Sequence, residues 1–206
     1  HIIAGLVDQD QGTALIGGMS PKAGRKDVSI MFQRPVLLPW RTVLENTMLP
    51  TELRKMNKSD SQQRAMELLD LVGLTGFEEK HVWELSGGMR QRVSLAQSLV
   101  TDAPLLLMDE PFSAVDEFTR ERLNLEVARM HADSSRTTVY VTHNIQEAVF
   151  LADRVVAMKP RPGEIVEITE VDQGPVRDLD FLDSELFHQK VAEVRKVLSD
   201  YTGGVK

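Results

Sequence analysis

The sequence predicts an α/β fold that is interrupted by a helical insertion. After Thr101, short apolar runs alternate with stretches of helical periodicity, a pattern typical of parallel strands covered by helices. Between about residue 37 and residue 100 the pattern is helical instead. We therefore expect one domain over residues 1–206, with an α/β core formed by 1–36 and 101–206 and a helical subdomain over 37–100.

Short apolar runs bounded by turn residues predict the strands. Leu105–Met108 is a continuous apolar run, as expected of a strand that is covered on both faces. Thr137–Thr142 is predicted to be buried in the same way. The remaining predicted strands are Thr13–Ile16 before the turn at Gly17 and Gly18, Val28–Phe32, Arg154–Met158 and Glu164–Ile168, the last two joined by a turn over Pro160–Gly163.

Apolar spacing and capping residues predict the helices. One helix is expected to be capped by Ser59 or Asp60 and to run through Leu71, just before Gly73 in the usual stop position. Another is expected over Ser86–Leu99. Further helices are predicted over Glu117–His131, with Phe118, Leu123, Val127 and Met130 on the inner face, over Ile145–Leu151 and over Leu182–Ser199.

Composition narrows the class of protein. The formal net charge of -7 argues against a nucleic-acid-binding protein, which usually has a basic face. The chain has no cysteine, which excludes disulfides and thiolate metal sites. No apolar run approaches the roughly 20 residues of a membrane-spanning helix. The first residues, His1–Leu6, have no charged leader, so no signal peptide is expected.

Two consecutive carboxylates follow the apolar run at 105–108. Asp109 and Glu110 come at the carboxyl end of the predicted strand, the edge where open α/β sheets bind ligands, and Pro111 ends the strand. Phosphoryl-transfer sites use one carboxylate to hold Mg²⁺ and another group to orient the attacking water. Asp109 fits the first role and Glu110 the second. Acidic residues are also common at solvated strand ends, and that alternative stays open here.

The segment Leu85–Arg92 opens a predicted helix with Ser86, Gly87 and Gly88. Ser86 is a good N-cap, and the glycines allow phosphates of another molecule to approach the backbone N–H groups. A capped helix after a flexible turn would explain Ser86. It would not explain two glycines in the first turn, each of which costs up to about 1 kcal/mol relative to alanine.

Two single residues fall at the ends of predicted strands. His143 follows the strand 137–142, where an imidazole can contact a γ-phosphate. Gln33 follows the strand 28–32, where its amide oxygen can ligate Mg²⁺ or a water on it. A lone histidine at a strand end is more often structural, and Gln33 alone is uninformative.

In their order, these segments resemble the nucleotide-binding subunit of ATP-binding cassette (ABC) transporters. LSGGMRQR at 85–92 is similar to the signature motif and LLLMDEP at 105–111 to the Walker B strand. Ser113–Asp116 resembles the D-loop, His143 the switch histidine and Gln33 the Q-loop glutamine. The stretch Phe32–Trp40, followed by Asn46, further resembles subunits of nitrate, sulfonate and taurine importers.

The resemblance implies a P-loop NTPase (RecA-like) core that binds ATP and Mg²⁺ and works as a head-to-tail dimer. Asp109 and Gln33 would hold Mg²⁺, Glu110 would polarise the attacking water and His143 would contact the γ-phosphate. The signature residues, Ser86, Gly87, Gly88 and Met89, would act on the nucleotide of the second copy. Asp116 would lie at the dimer interface and link the two sites.

The resemblance also implies partners. A transmembrane permease would dock near Gln33–Asn46, on the cytoplasmic face of the bacterial inner membrane, and a solute-binding protein would be an indirect partner. No nucleic-acid partner is expected. Trp40, Leu37 and Leu38 lie in a loop punctuated by proline and are either docking contacts or ordinary packing.

Three departures from the family pattern are visible. Asn144 follows the switch histidine where aspartate is usual, and Gln97 and Ser98 replace the usual Arg-Ala after the signature; these departures are expected to tune activity rather than to abolish it. No G-x-x-x-x-G-K-[ST] occurs in the 206 residues. Because this loop lies just before the segment matching Ile2–Leu6 in the family, we expect a chain truncated at its N-terminus within the helix that follows the loop. The first strands and the phosphate loop would then be missing, and the chain alone should have no measurable ATPase activity.

Two other functions compete with a transport ATPase. A non-transport ABC ATPase acting on DNA or ribosomes would favour a long or basic insertion between Gln33 and Ser86, and this insertion is short and not strongly basic. A non-hydrolysing scaffold protein would carry degenerate motifs, whereas Asp109, Glu110 and His143 are intact.

Overall fold

The computed structural model describes residues 1–132, 135–172 and 177–202. The strands are β1 (Val28–Met31), β2 (Leu105–Asp109), β3 (Thr137–Val141), β4 (Arg154–Lys159) and β5 (Glu164–Glu170). The helices are α1 (Val43–Leu53), α2 (Lys58–Leu71), α3 (Gly87–Leu99), α4 (Glu117–Ala132), α5 (Ile145–Leu151), α6 (Leu179–Leu182) and α7 (Glu185–Thr202), with a 3₁₀ turn over Val82–Glu84. No helix within these described ranges is long and apolar enough to cross a membrane.

The chain forms two compact units. Unit 1 comprises His1–Val115 and Arg136–Val139, and unit 2 comprises Asp116–Ser135 and Tyr140–Lys206. The proposed division into an α/β core and a helical subdomain over 37–100 stays a prediction.

A sheet with the strand order β1-β2-β3 organises unit 1. Strands β1 and β2 run parallel, with Val28 paired to Leu105 and Met31 paired to Met108. Leu105 and Leu106 point to opposite faces of β2 and are both buried, as expected of a parallel strand covered on both faces. The parallel pairing brings the carboxyl ends of β1 and β2 to the same edge of the sheet.

Helices α1, α2 and α3 pack against one another, and α3 packs against β1. The predicted cap of α2, Ser59 or Asp60, is wrong by two or three residues. Asn57 is the N-cap, and its side chain accepts from the N–H groups of Ser59 and Asp60. Asparagine caps a helix as well as serine or aspartate, so the sequence offered three candidates within four residues. The start of α3 is confirmed, because Ser86 is its N-cap.

Unit 2 is built around an antiparallel hairpin of β4 and β5, on which α7 packs. Helix α7 also packs against α5, and α5 against α4. The core of this unit consists of buried apolar side chains from these elements, from α6 and from the residue after β5, namely Ala128, Val149, Phe150, Val155, Val171, Phe181, Phe187, Val191 and Val194.

A buried arginine joins the segment before α6 to the end of α5. The Arg177 guanidinium donates to the carbonyl oxygens of Phe150 at 3.0 Å and Ala152 at 2.7 Å, and to Oδ1 of Asp153 at 2.9 Å. These carbonyls belong to the helix end, where the helix itself supplies no donors. Burial lowers the pKa of Arg177.

Three expectations, two about burial and one about a strand, are wrong. Phe118 is 85% exposed rather than on the inner face of α4, whereas Leu123 and Val127 are buried as predicted. Thr13–Ile16 forms no strand; only Ile16 makes a bridge, to Met19 across the glycine turn. Strand β3 is only partly buried, with Val141 51% exposed, rather than covered on both faces.

The tail helix is also divided differently from the prediction. Leu182 ends the short helix α6, Asp183 caps that end, and α7 begins only at Glu185. The Asp178 side chain caps α6 by accepting from the N–H of Phe181. The Ser184 hydroxyl accepts from the N–H of Phe187 at 3.1 Å, so a second helix is capped directly after α6 ends.

Candidate active site

The side chains of Gln33 and Glu110 meet beyond the ends of β1 and β2. Nε2 of Gln33 donates a hydrogen bond of 3.0 Å to Oε2 of Glu110. Each residue lies two positions after the last pair in the parallel register, Met31 and Met108. The sheet register therefore places the predicted Q-loop glutamine beside the predicted water-orienting carboxylate.

The backbone of Glu110 has an uncommon conformation. Its φ is +45°, in the left-handed region that residues other than glycine seldom adopt. Pro111 disfavours the ordinary helical region for the preceding residue, and Ser113 fixes the turn by donating from both N and Oγ to the Glu110 carbonyl, at 3.3 and 3.1 Å. Such outliers cluster at functional sites and cost about 1–3 kcal/mol.

Asp109 is the last residue of β2 and is half-buried. Its carboxylate and the amide oxygen of Gln33 are the hard oxygen ligands that Mg²⁺ prefers. The hydrogen bond from Gln33 to Glu110 uses the amide nitrogen, so it leaves the amide oxygen for a cation. The described residues contain no cluster of three or more His, Cys, Asp or Glu for a metal. One carboxylate and one amide therefore fit Mg²⁺, which is usually bound through few side chains plus waters and substrate phosphates.

The signature segment opens α3. Oγ of Ser86 accepts from the N–H of Met89 at 3.2 Å, and Met89 itself is half-buried. No heavy atom lies within 4 Å of the position that a Cβ on Gly87 would take, and a Cβ on Gly88 would lie 3.4 Å from the Ala114 carbonyl. Nothing within the described chain requires glycine at 87. Its open backbone suits close approach by another molecule.

Gln91 connects α3 to the residue that bears the Q-loop amide. Gln91 is 1% exposed, and its Nε2 donates to the Gln33 carbonyl oxygen at 3.4 Å. The sequence reasoning missed this residue. Its hydrogen bond to Gln33 depends on contact between distant segments, and no local pattern in α3 distinguishes it, since Ser94 and Ser98 are also buried polar residues of this helix.

Asp116 and His143 belong to unit 2. Asp116 starts α4, with Oδ1 accepting from the N–H of Thr119 at 3.0 Å. His143 is exposed and lies between β3 and α5. All the other predicted site residues belong to unit 1, namely Gln33, Ser86, Gly87, Gly88, Met89, Asp109 and Glu110.

The residues that depart from the family pattern have local roles. Asn144 caps α5, with Oδ1 accepting from the N–H groups of Gln146 at 2.9 Å and Glu147 at 3.3 Å, so asparagine does the capping that aspartate also does. Gln97 donates to the Asn46 carbonyl at 2.8 Å. The Ser98 carbonyl accepts from the hydroxyl of Ser29 at 2.6 Å.

The loop predicted to dock a partner is organised by Asn46. This fully buried side chain accepts from the N–H of Leu38 at 2.7 Å, and its two amide hydrogens are shared among three carbonyl oxygens, those of Leu38, Arg41 and Thr42. Trp40 is 68% exposed on the loop, whereas Leu37 and Leu38 are half-buried. The asparagine thus fixes a loop that presents a large aromatic ring to solvent.

The sequence matches known proteins along most of its length. A model of the ABC transporter family matches residues 1–113. The uncharacterized ABC transporter ATP-binding protein MJ0412 of Methanocaldococcus jannaschii is 39% identical over 196 residues, which cover 95% of this chain and 73% of that protein. The taurine import ATP-binding protein TauB of Pseudomonas fluorescens (strain Pf0-1) is 41% identical over 174 residues, covering 84% of this chain and 66% of TauB.

The chain thus spans about two thirds to three quarters of the length of these relatives. The fold is also similar to a solved structure, the ATP-binding cassette MJ0796 as a dimer in a post-hydrolysis state with bound ADP and Pi. The TM-score is 0.73 and the identity 28%, over 82% of this chain and 78% of that one. The chain therefore belongs to the ABC transporter family, and its fold is that of the family's ATP-binding cassettes, which are P-loop NTPases.

Proposed function

We propose that this chain is the ATP-hydrolysing part of a subunit that energises the import of a small solute through a membrane partner. The observation that carries the proposal is the hydrogen bond between Gln33 and Glu110, next to Asp109. A Mg²⁺ ligand set and a carboxylate for the attacking water are the groups that ATP hydrolysis requires. The match to the ABC transporter family supports the same reaction.

In the proposed site, Asp109 and the amide oxygen of Gln33 hold Mg²⁺, which neutralises charge on the ATP phosphates when bound. Glu110 accepts a proton from the attacking water or orients it. The hydrogen bond from Gln33 and the turn at Pro111 restrain the direction of the Glu110 carboxylate. His143 donates a hydrogen bond to the γ-phosphate.

A second copy of the subunit completes each site in this proposal. Ser86, Gly87, Gly88 and Met89 present the N-terminus of α3 to the γ-phosphate of the nucleotide that the partner copy holds. Asp116 lies at the interface and links the two sites. The open backbone at Gly87 and the dimeric state of the MJ0796 cassette support this arrangement.

The membrane partner is proposed to dock on the loop between Gln33 and Asn46. The exposure of Trp40 and the anchoring of the loop by Asn46 support a docking role. The subunit would then work at the cytoplasmic face of the membrane, and a solute-binding protein would reach it only through the permease.

The proposed solute is a small anion or zwitterion such as taurine, another sulfonate or nitrate. The similarity to TauB proteins supports taurine or a related sulfonate first. Uptake of labelled taurine, an alkyl sulfonate and nitrate by cells with and without the gene would separate these solutes. If loss of the gene affects none of the three, this solute class is wrong.

Glu110→Gln in the natural full-length protein tests the hydrolytic role. The amide keeps the size of the side chain but cannot accept a proton, so turnover should fall by about a hundredfold or more while ATP binding persists. Phosphate release and binding of labelled ATP measure the two quantities. Glu185→Gln, on the exposed first turn of α7, is the matched control and should keep full activity. Unchanged turnover in Glu110→Gln would refute the assignment.

A further inference from the structure

Glu147 is a buried carboxylate that the proposed mechanism does not use. It lies in the first turn of α5 and is 7% exposed. Its Oε2 accepts from the hydroxyl of Thr142 at 2.7 Å and from that of Tyr140 at 3.4 Å. Its Oε1 lies 3.9 Å from Nε of Arg120 on α4. A buried carboxylate is costly unless it is bonded and paired, and these three residues supply its partners.

The Thr142 hydroxyl connects Glu147 to the backbone beside His143. A hydroxyl has one proton, and here that proton goes to the Glu147 carboxylate, which can only accept. The hydroxyl oxygen then accepts from the N–H of Asn144 at 3.0 Å. The two residues on either side of His143, Thr142 and Asn144, are therefore joined by a hydrogen bond to the Thr142 hydroxyl.

This arrangement modifies an ordinary capping box. In a capping box, the acidic residue at the third helical position accepts directly from the N–H of the N-cap residue. Here Glu147 has that helical position and Asn144 is the N-cap, but the Thr142 hydroxyl stands between them. The carboxylate thus acts on the chain before the helix, where His143 lies, rather than on the helix end alone.

The same carboxylate faces the beginning of α4. The N–H of Arg120 donates to the Asp116 carbonyl at 2.9 Å, so Arg120 lies one turn after Asp116. Its guanidinium also pairs with Glu117. Glu147 therefore links the helix that Asp116 starts to the loop that holds His143, all within unit 2.

We propose that Glu147 and Thr142 are positioning residues for ATP hydrolysis. The Glu147 carboxylate orients the Thr142 hydroxyl, and this hydroxyl fixes the backbone at His143 and hence the direction of its imidazole. The Glu147 carboxylate also connects this loop to the helix that Asp116 starts. This inference rests on the proposed contact of His143 with the γ-phosphate. It assigns roles to two residues that do not touch the nucleotide.

Thr142→Val and Thr142→Ser in the natural full-length protein test the proposal. Valine keeps the shape of the side chain and removes the hydroxyl, so kcat should fall about ten- to a hundredfold while KM for ATP changes by less than about threefold. Serine keeps the hydroxyl and should restore most of kcat. Thr169→Val is the matched control, since Thr169 is a buried threonine on β5 of the same unit and outside this network.

The following outcomes decide whether Thr142 and Glu147 have this role. Normal kcat in Thr142→Val, or equal loss in the serine and valine variants, overturns the positioning role. If Thr142→Val does not fold, Glu147→Gln decides: a loss in kcat of at least about threefold supports the role, and none overturns it. His143→Ala separates the two proposals. If it keeps full turnover, the proposed role of His143 fails and the positioning role falls with it. If it is inactive while Thr142→Val is fully active, only the positioning role fails.

Discussion

Gln33 and Glu110 are hydrogen-bonded at 3.0 Å across a separation of 77 residues, the same separation that pairs Val28 with Leu105 in the sheet. The side-chain contact thus continues the parallel register past the last paired strand residues. A shift of the register would move every pair together, so the packing of β1 on β2 also aligns the two site residues. Buried Met31 and Met108 hold that register.

A third element restrains the same pair. Gln91 on α3 donates to the Gln33 carbonyl, so the helix that begins with the signature segment is bonded to the residue that contacts Glu110. In the proposed function, movement of α3 on engaging the partner's nucleotide would reach Glu110 through this bond and the next. This connection lies entirely within unit 1.

Ser86 has a capping role and a proposed nucleotide-binding role, and two substitutions separate them. Ser86→Ala should lower the free energy of unfolding by about 1 kcal/mol, because the N–H of Met89 loses its acceptor. Ser86→Asp should retain the cap and the stability, since aspartate caps helices as well as serine and suits the helix dipole. Urea unfolding measures both variants.

The activities of the two Ser86 variants should not follow their stabilities. An aspartate at 86 would place negative charge at the proposed γ-phosphate contact, so ATP turnover should fall by about a hundredfold or more. Phosphate release by the full-length protein measures this. Wild-type turnover in Ser86→Asp would mean that Ser86 is only a helix cap.

The sequence predicted where helices and strands lie better than which of their residues are buried. The bounds of α5 were predicted to the residue, and the structure shows that Asn144 caps this helix. Phe118 was misplaced because the helical period allows several faces for one aromatic residue, and only packing decides among them. The cap of α2 was misplaced because Asn57, Ser59 and Asp60 are all good caps.

The site residues were predicted from order and motif, but their connections were not. The contact of Gln33 with Glu110 depends on the register of two strands that are far apart in the chain, and the sequence does not encode that register locally. Gln91 and Glu147 were missed for a related reason. Each bonds to groups on other segments, so its role becomes visible only when the segments are brought together.

Trp40 should become buried when the membrane partner docks. The chain has two tryptophans, and Trp83, which is 63% exposed, stacks on His81. In a Trp83→Phe variant, Trp40 is the only tryptophan of the chain. Its fluorescence emission should shift to shorter wavelength when the protein is mixed with the permease in detergent. Trp40→Ala should reduce co-purification with the permease and Trp83→Ala should not. An unshifted emission during demonstrated assembly would exclude Trp40 from the interface.

Arg177 should contribute much more to stability than the exposed partner of its ion pair. Its side chain is 4% exposed and bonds to carbonyl oxygens at the end of α5, so Arg177→Met should cost about 3 kcal/mol by leaving buried acceptors unsatisfied. The Asp153 side chain is 70% exposed, and Asp153→Asn should cost less than about 1 kcal/mol. Urea midpoints compare the two. Equal losses would mean that the ion pair, and not the carbonyl bonding, is the source of stability.

Tyr140 should make the folded state less stable at alkaline pH. Burial raises the pKa of Tyr140, and the adjacent Glu147 carboxylate raises it further. Below the ordinary tyrosine pKa of about 10, the folded and unfolded chains both keep this proton, so Tyr140 contributes no pH dependence. Above that pH the unfolded chain loses the proton while the folded chain keeps it. The unfolded state then binds fewer protons, and stability falls as the pH rises.

The variant Tyr140→Phe isolates this effect from other alkaline titrations. Its free energy of unfolding should fall less steeply between about pH 10 and pH 11 than that of the wild type. Absorbance of tyrosinate near 295 nm gives a second measurement, because the chain has only two tyrosines, Tyr140 and Tyr201. The difference spectrum between wild type and Tyr140→Phe should show ionisation of Tyr140 only as the protein unfolds. Reversible ionisation of Tyr140 near pH 10 in the folded protein would contradict this prediction. It would mean that the Tyr140 hydroxyl does not donate the hydrogen bond of 3.4 Å to the Glu147 carboxylate.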